Sequence, residues 1–241
     1  MDTGCFAGGL LVIKITDLSK KYGRKTILEI VSCLLEDYRI YALVGVNGIG
    51  KSTLLNAVTQ PAKMDSGKVE IDGIDNRKYE SKFRFFYVPD SKEMFLNLTG
   101  REYLKCIVQL YHINEVKAEE NLKKLSSAFK LERSLDEYIA NYSLGMKQKV
   151  YLIAAFLSGA GNLILDEPFN GLDPESVAIL KKILIEYKDN GNMVLFSVHN
   201  LDLVANFCDT VIFIDKQRNV FQSENPRDFQ KLECVFFQEC V

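Results

Sequence analysis

The chain has 241 residues, 47% hydrophobic and 26% charged, with 30 basic residues against 32 acidic ones and a formal net charge of −2. That balance can fill the core of one large domain, or of one domain with a subdomain. It argues against an overall basic footprint for nucleic acid, and no window approaches the ~18–20 apolar residues of a membrane helix.

Asp2 stands where a signal peptide carries positive charge, and Lys14 interrupts the first apolar run. Residues 1–10 therefore read as an irregular lead-in to a strand over 11–16. Strands follow over 27–33 and 38–44, a helix over 51–59, and strands over 68–72 and 84–88. Helices are expected over 100–111, 115–128 and 145–158. A strand over 162–166, a helix over 174–189 and a strand over 193–198 come next. A helix over 200–207, strands over 210–215 and 218–222, and a helix over 226–233 complete the chain. Closely spaced early strands suggest an antiparallel part, and strand–helix alternation beyond 160 indicates parallel α/β. No strand pattern appears between about 91 and 160, so that block reads as a helical subdomain within a single domain spanning 1–241. Six scattered cysteines without a C-x-x-C pair are expected to be reduced thiols of a cytosolic protein.

Residues 39–44 form a buried-strand pattern that runs into Gly45-Val46-Asn47-Gly48-Ile49-Gly50-Lys51-Ser52-Thr53 and then an apolar helix. This is G-x-x-x-x-G-K-S in its strand–loop–helix context. Its glycines let backbone N–H groups curl around an anion, and the helix adds its positive end. Lys51 is expected on the β- and γ-phosphates of a nucleoside triphosphate, and Ser52 on Mg²⁺. A glycine-rich turn with a chance Lys-Ser is the bland alternative.

The apolar run 162–165 ends in Asp166-Glu167-Pro168. Carboxyl ends of such strands carry ligand sites. Asp166 is the natural partner of a Mg²⁺ held by Ser52, and Glu167 can act as general base on the attacking water. A surface Glu beginning a loop is the alternative for Glu167. His199 lies just past the buried run 193–198 and is placed to reach the γ-phosphate, unless it is a satisfied structural histidine. His112 follows a helical stretch and reads as a surface residue.

With these motifs in this order, the chain resembles the ATP-binding subunits of ATP-binding cassette (ABC) transporters over nearly its full length. The resemblance implies a phosphate-loop fold with a mixed central sheet, an antiparallel N-terminal part and a helical subdomain. It implies ATP and Mg²⁺ as cofactors and ATP hydrolysis as the activity. Tyr22, in Lys21-Tyr22-Gly23, is similar to the family's adenine-stacking aromatic; a strand-end tyrosine is the alternative. Gly45, Asn47, Gly48, Gly50, Lys51, Ser52 and Thr53 match the phosphate loop. Asp173, in Asn170-Gly171-Leu172-Asp173, matches the loop that faces the second subunit, and His199 matches the switch histidine.

Two departures stand out. The family places Gln where this chain has Asp90, after Tyr87-Val88-Pro89. Asp90 is expected as a further Mg²⁺ ligand, because hard cations take carboxylate oxygens. The family's Leu-Ser-Gly-Gly-Gln signature is here Tyr142-Ser143-Leu144-Gly145-Met146. Ser143, Gly145 and Met146 are implied to contact ATP held by a partner subunit. This variant is similar to that of bacterial exporters of the bacitracin-resistance and lantibiotic-immunity type.

The implied partners are a second ATP-binding subunit and a separate transmembrane permease, with the chain peripheral on the cytoplasmic face of the membrane. Met94, Phe95 and Leu96 are candidates for the permease contact, although core packing explains them as well. The alternative is a non-transport ABC ATPase of assembly, repair or translation. Against repair types, the span from Lys51 to Ser143 holds no sustained heptads. Against translation types, the chain has one cassette.

Overall fold

The computed structural model describes residues 12–91 and 93–240. The expected lead-in, Cys5 and the first residue of the first predicted strand lie outside them. Two strands, β1 (Val12–Tyr22) and β2 (Lys25–Glu36), form a hairpin. They run well past the predicted 11–16 and 27–33. Asp17 (φ 49°) and Ile30 (φ 52°) sit in left-handed backbone beside register shifts, so bulges break the alternation that marks a strand. Next come β3 (Ile40–Val44), α1 (Lys51–Thr59), β4 (Ser66–Ile71) and the short β5 (Ile74–Asp75). β5, only two residues long, carries no strand pattern in the sequence. Asp72 and Gly73, both at positive φ, form the tight two-residue turn that creates it. One antiparallel sheet has the order β2-β1-β4-β5.

The chain continues through β6 (Phe85–Val88) into a helical block: α2 (Gly100–Leu110), α3 (Glu115–Ala128) and α4 (Leu144–Leu157). Each of these helices has a side-chain cap. Thr99 and Glu102 form a reciprocal capping box on α2, Asn114 caps α3, and Ser143 caps α4. His112 is exposed at φ 55°, just beyond α2. Beyond this block lie β7 (Asn162–Leu165), α5 (Pro174–Asp189), β8 (Met193–Val198), α6 (Leu201–Ala205), β9 (Thr210–Ile214), β10 (Val220–Glu224) and α7 (Phe229–Glu239).

The central sheet has the order β10-β9-β3-β8-β7-β6, parallel except for β10 at one edge. This is an α/β architecture with a mixed sheet. Strict alternation along its strands feeds two separate cores. Ala42, Val44, Leu163, Leu165, Phe196 and Val198 point into the core shared with α2–α5. Tyr41, Leu43, Ile164, Leu195 and Ile212 point into the core shared with α1 and the antiparallel sheet. The face a side chain takes is therefore legible from its parity. Among the described residues, no helix is long and apolar enough to cross a membrane.

Candidate active site at the strand ends

The order β3-β8-β7 sets three carboxyl ends side by side. Val44 pairs with Val198, and Leu165 with Phe196. The residues that follow each strand therefore emerge at one edge of the sheet: loop 45–50 after β3, Asp166 and Glu167 after β7, and His199 after β8.

The loop is shaped by its glycines. Gly50 adopts φ 133°, and a Cβ there would meet Ile27 Cγ2 at 2.9 Å. A Cβ on Gly45 would meet Ile49 Cγ2 at 2.9 Å. Gly48 adopts φ 77° with open space where a Cβ would lie, as a cradle for an anion requires. Lys51, only 7% exposed, donates from Nζ to the Gly45 carbonyl at 2.8 Å and spans the loop it serves. Burial pushes its ammonium below the ordinary lysine value, and the carboxylates of Glu167 and Asp166 act against that shift. A cleft of about 340 Å³ opens here, lined by Asn47, Gly48, Gly50, Lys51, Ser52 and Thr53, with Ile27, Asp90 and Glu167 on its walls. Ile27 escaped the sequence reading, because a strand apolar carries no chemical signal.

Glu167 is the meeting point. One carboxylate oxygen lies 3.0 Å from His199 Nδ1 and the other 3.9 Å from Lys51 Nζ. Its backbone is left-handed at φ 49°, and its N–H donates to Ser197 Oγ at 2.8 Å. Ser197 in turn donates to Asp166 Oδ1 at 2.5 Å. Asp166, 2% exposed, is anchored by its own N–H on the Val88 carbonyl. Asp90 is exposed on the cleft wall, and its charge acts with that of Asp166 on the Tyr87 phenol, which burial first of all raises above its ordinary value. The site thus offers backbone N–H groups and an ammonium for phosphates, and hydroxyl and carboxylate oxygens of the kind a hard divalent cation takes. Triphosphate and Mg²⁺ both fit the residues present.

Other candidates lie away from this cleft. Tyr22 ends β1 at the hairpin tip, 54% exposed, with Lys20 Nζ 5.2 Å from its ring centroid. Ser143 caps α4, accepting from the Met146 N–H at 3.2 Å, and none of Ser143, Gly145 and Met146 lines the cleft. Tyr142 is buried and donates to the Ser134 carbonyl, which pins the segment entering α4. Gly145 has an additional reason to be glycine: a Cβ would meet the Gly171 carbonyl at 2.6 Å. Gln148, wholly inside, donates to the Pro168 carbonyl at 2.8 Å. Lys149 reaches Asp173 at 2.9 Å. The first two turns of α4 are thereby fastened to the loop that follows Glu167.

Asp173 caps α5 through the Ser176 N–H at 2.8 Å. That bond first, then Lys149 and the Ser176 hydroxyl, hold its carboxyl well below the usual carboxylate range. A depressed folded value stabilises above the unfolded value of about 3.9, and this stabilisation fades as pH falls below it. The side chain is half exposed, so the cap outweighs the screened ion pair. Asp173→Ala is expected to lower Tm by about 2–4 °C at pH 7 and by clearly less at pH 3, as read from thermal melts.

Residues 28–170 match the family of ABC transporters. The ABC-type transporter ATP-binding protein EcsA of Bacillus subtilis (strain 168) is 34% identical over 207 residues, covering 84% of this chain and 83% of that protein. The lantibiotic transport ATP-binding protein SrtF of Streptococcus pyogenes is 28% identical over 214 residues, covering 88% and 91%. A solved structure of an ATP binding subunit of an ABC transporter superposes with a TM-score of 0.84 at 30% identity, over 94% of this chain and 92% of that one. The chain belongs to the ABC transporter family and is an ATP-binding subunit whose hydrolysis of ATP powers transport.

Proposed function

We propose that two such subunits close around ATP, each nucleotide lying between loop 45–53 of one and Ser143–Met146 of the other, and that this closure drives a separate permease. The observation that carries the reading is the Glu167 carboxylate. It reaches His199 at 3.0 Å and Lys51 at 3.9 Å at the mouth of the phosphate loop. In that position Glu167 takes the proton of the attacking water as general base, and His199 holds the carboxylate toward the γ-phosphate. Lys51 turns from the Gly45 carbonyl to the phosphates when nucleotide enters. Tyr22 offers its exposed ring as the adenine platform. Asp173 stands beside the closing surface.

Ser52, Asp166 and Asp90 are the residues that would hold Mg²⁺. When bound, the ion neutralises charge developing between the β- and γ-phosphates. Asp90→Gln tests the least expected of the three. Loss of a ligand is expected to raise the half-saturating Mg²⁺ of ATP turnover by about tenfold. Unchanged turnover and metal dependence would remove Asp90 from the set.

The permease is proposed to dock on the helical block at Met94 and Phe95, which are 43% and 48% exposed. Phe95 stacks on buried Tyr103 at 4.9 Å, and the Tyr151 hydroxyl donates to the Met94 carbonyl. Leu96, the third sequence candidate, packs against the helical core instead. The similarity to a lantibiotic transport protein and the Tyr-Ser-Leu-Gly-Met signature favour an exporter of peptide antibiotics, drugs or lipid-like molecules. The chain then works on the cytoplasmic face of the membrane. Co-purification with a permease encoded beside it, and ATPase stimulation in that complex, test the pairing.

A further inference from the structure

We propose that Ser197 is a positioning residue of the ATPase reaction, its one buried hydroxyl setting both the Asp166 carboxylate and the backbone turn that aims Glu167. The proposal rests on the reading of Asp166 as a metal-binding residue and Glu167 as the base.

Buried serines elsewhere in this chain satisfy themselves locally. Ser81 donates to the Lys78 carbonyl, Ser126 to Lys123 and Ser158 to Ala155, each three positions back. Ser197 reaches across to the neighbouring strand's end. Fully buried at 0% exposure, it donates to Asp166 Oδ1 at 2.5 Å and accepts from the Glu167 N–H at 2.8 Å. It is the one hydroxyl in the run Met193–Val198, whose other members are apolar. By parity it shares a sheet face with Leu195 and Met193, which belong to the α1 core. Asp166 stands next to Ile164 by the same rule, and the register that pairs Leu165 with Phe196 sets Asp166 against Ser197. Strand pairing alone therefore brings the two together.

The bond does two things. A carboxylate that is 2% exposed needs a donor, and an O–H to a charged oxygen is among the stronger hydrogen bonds. Committing Oδ1 to Ser197 leaves Oδ2 as the oxygen to meet a cation held with Ser52. The same hydroxyl accepts the N–H of Glu167, whose φ of 49° is unfavourable for a side chain with a Cβ and persists only where surroundings enforce it. Removing the hydroxyl frees the Asp166 rotamer and leaves the Glu167 N–H unpaired.

The test compares the full chain with Ser197→Ala and Ser197→Cys, and with Asp166→Asn as the control on the metal reading. Cysteine keeps the volume but hydrogen-bonds weakly, which separates the hydroxyl from packing. Mn²⁺ binding to the ATP-loaded chain is followed by electron paramagnetic resonance, nucleotide binding is measured in EDTA, and kcat at saturating metal. Both serine variants are expected to raise the half-saturating Mn²⁺ by about tenfold and to lower kcat, with nucleotide binding in EDTA unchanged. Wild-type Mn²⁺ binding in Ser197→Ala, or full recovery in Ser197→Cys, would overturn the proposal, the second outcome by showing that volume alone matters. Wild-type Mn²⁺ binding in Asp166→Asn would overturn the metal reading itself and the proposal with it.

Discussion

Glu167→Gln is expected to lower ATP turnover by about 10²–10⁴-fold, the range a positioned general base contributes. The amide is nearly isosteric, so the hydrogen bond from His199 and the loop beside Lys51 are kept. Water deprotonation fails because the amide cannot accept the proton. ATP binding is expected to survive, and the closed state to accumulate because its exit is blocked. Single-turnover assays with labelled ATP, alongside binding measurements, check both halves. Turnover at the wild-type rate would move the base elsewhere. The 3.0 Å contact with His199 Nδ1 gives a reason to expect the partner residue to follow. If His199 only orients Glu167, its loss costs less than loss of the carboxylate.

Ser143→Arg is expected to leave ATP binding to the single chain within about twofold, yet to abolish ATP-driven pairing and cut turnover by at least about 10²-fold. Ser143 is exposed at the amino end of α4 and lines no part of the chain's own cleft. A serine hydroxyl and the first N–H groups of a helix suit an anion brought from outside. Arginine removes the cap on Met146 and places bulk on the surface proposed to receive the partner. Loss of the cap alone costs only about 1 kcal/mol, too little to unfold the helix. Equilibrium binding of a fluorescent ATP analogue and steady-state ATPase assays separate the two effects. Loss of binding to the monomer would place Ser143 in its own site.

The central strands could be read because they are covered on both faces and appear as unbroken apolar runs. The phosphate loop, Asp166, Glu167 and His199 were legible because each follows such a run, and the parallel sheet gathers those ends. Bulges at Asp17 and Ile30 hid the true lengths of β1 and β2. Predicted β10 began too early, because Asp215 accepts from Asn219 across a turn with Arg218 at φ 69°. Predicted α7 also began early: Asp228 caps it, and Leu232, Val235 and Phe236, packed on the helical core, carry it to Glu239. The contacts of Gln148, Gly171 and Ser197 were not legible for another reason. Their roles arise from contacts between distant segments, and only Ser197 left a trace, a lone hydroxyl at a core-facing parity.

The fastening of α4 to the loop 167–173 has a mechanical consequence. Gln148 holds Pro168, and Lys149 holds Asp173. The residues proposed to greet a partner's ATP and the loop carrying the proposed base are therefore tied by two contacts and are expected to move together. Closure of the pair would be felt at both nucleotides at once, a population shift driven by contacts available only in the closed state.

Light scattering of the Glu167→Gln chain with ATP and Mg²⁺, repeated with Ser143→Arg added, bears most directly on the proposed sharing of the nucleotide between two subunits. A dimer mass for the first and a monomer mass with undiminished bound ATP for the second is the result expected. A dimer that persists with Ser143→Arg, or a monomer that holds ATP in both cases, would contradict it.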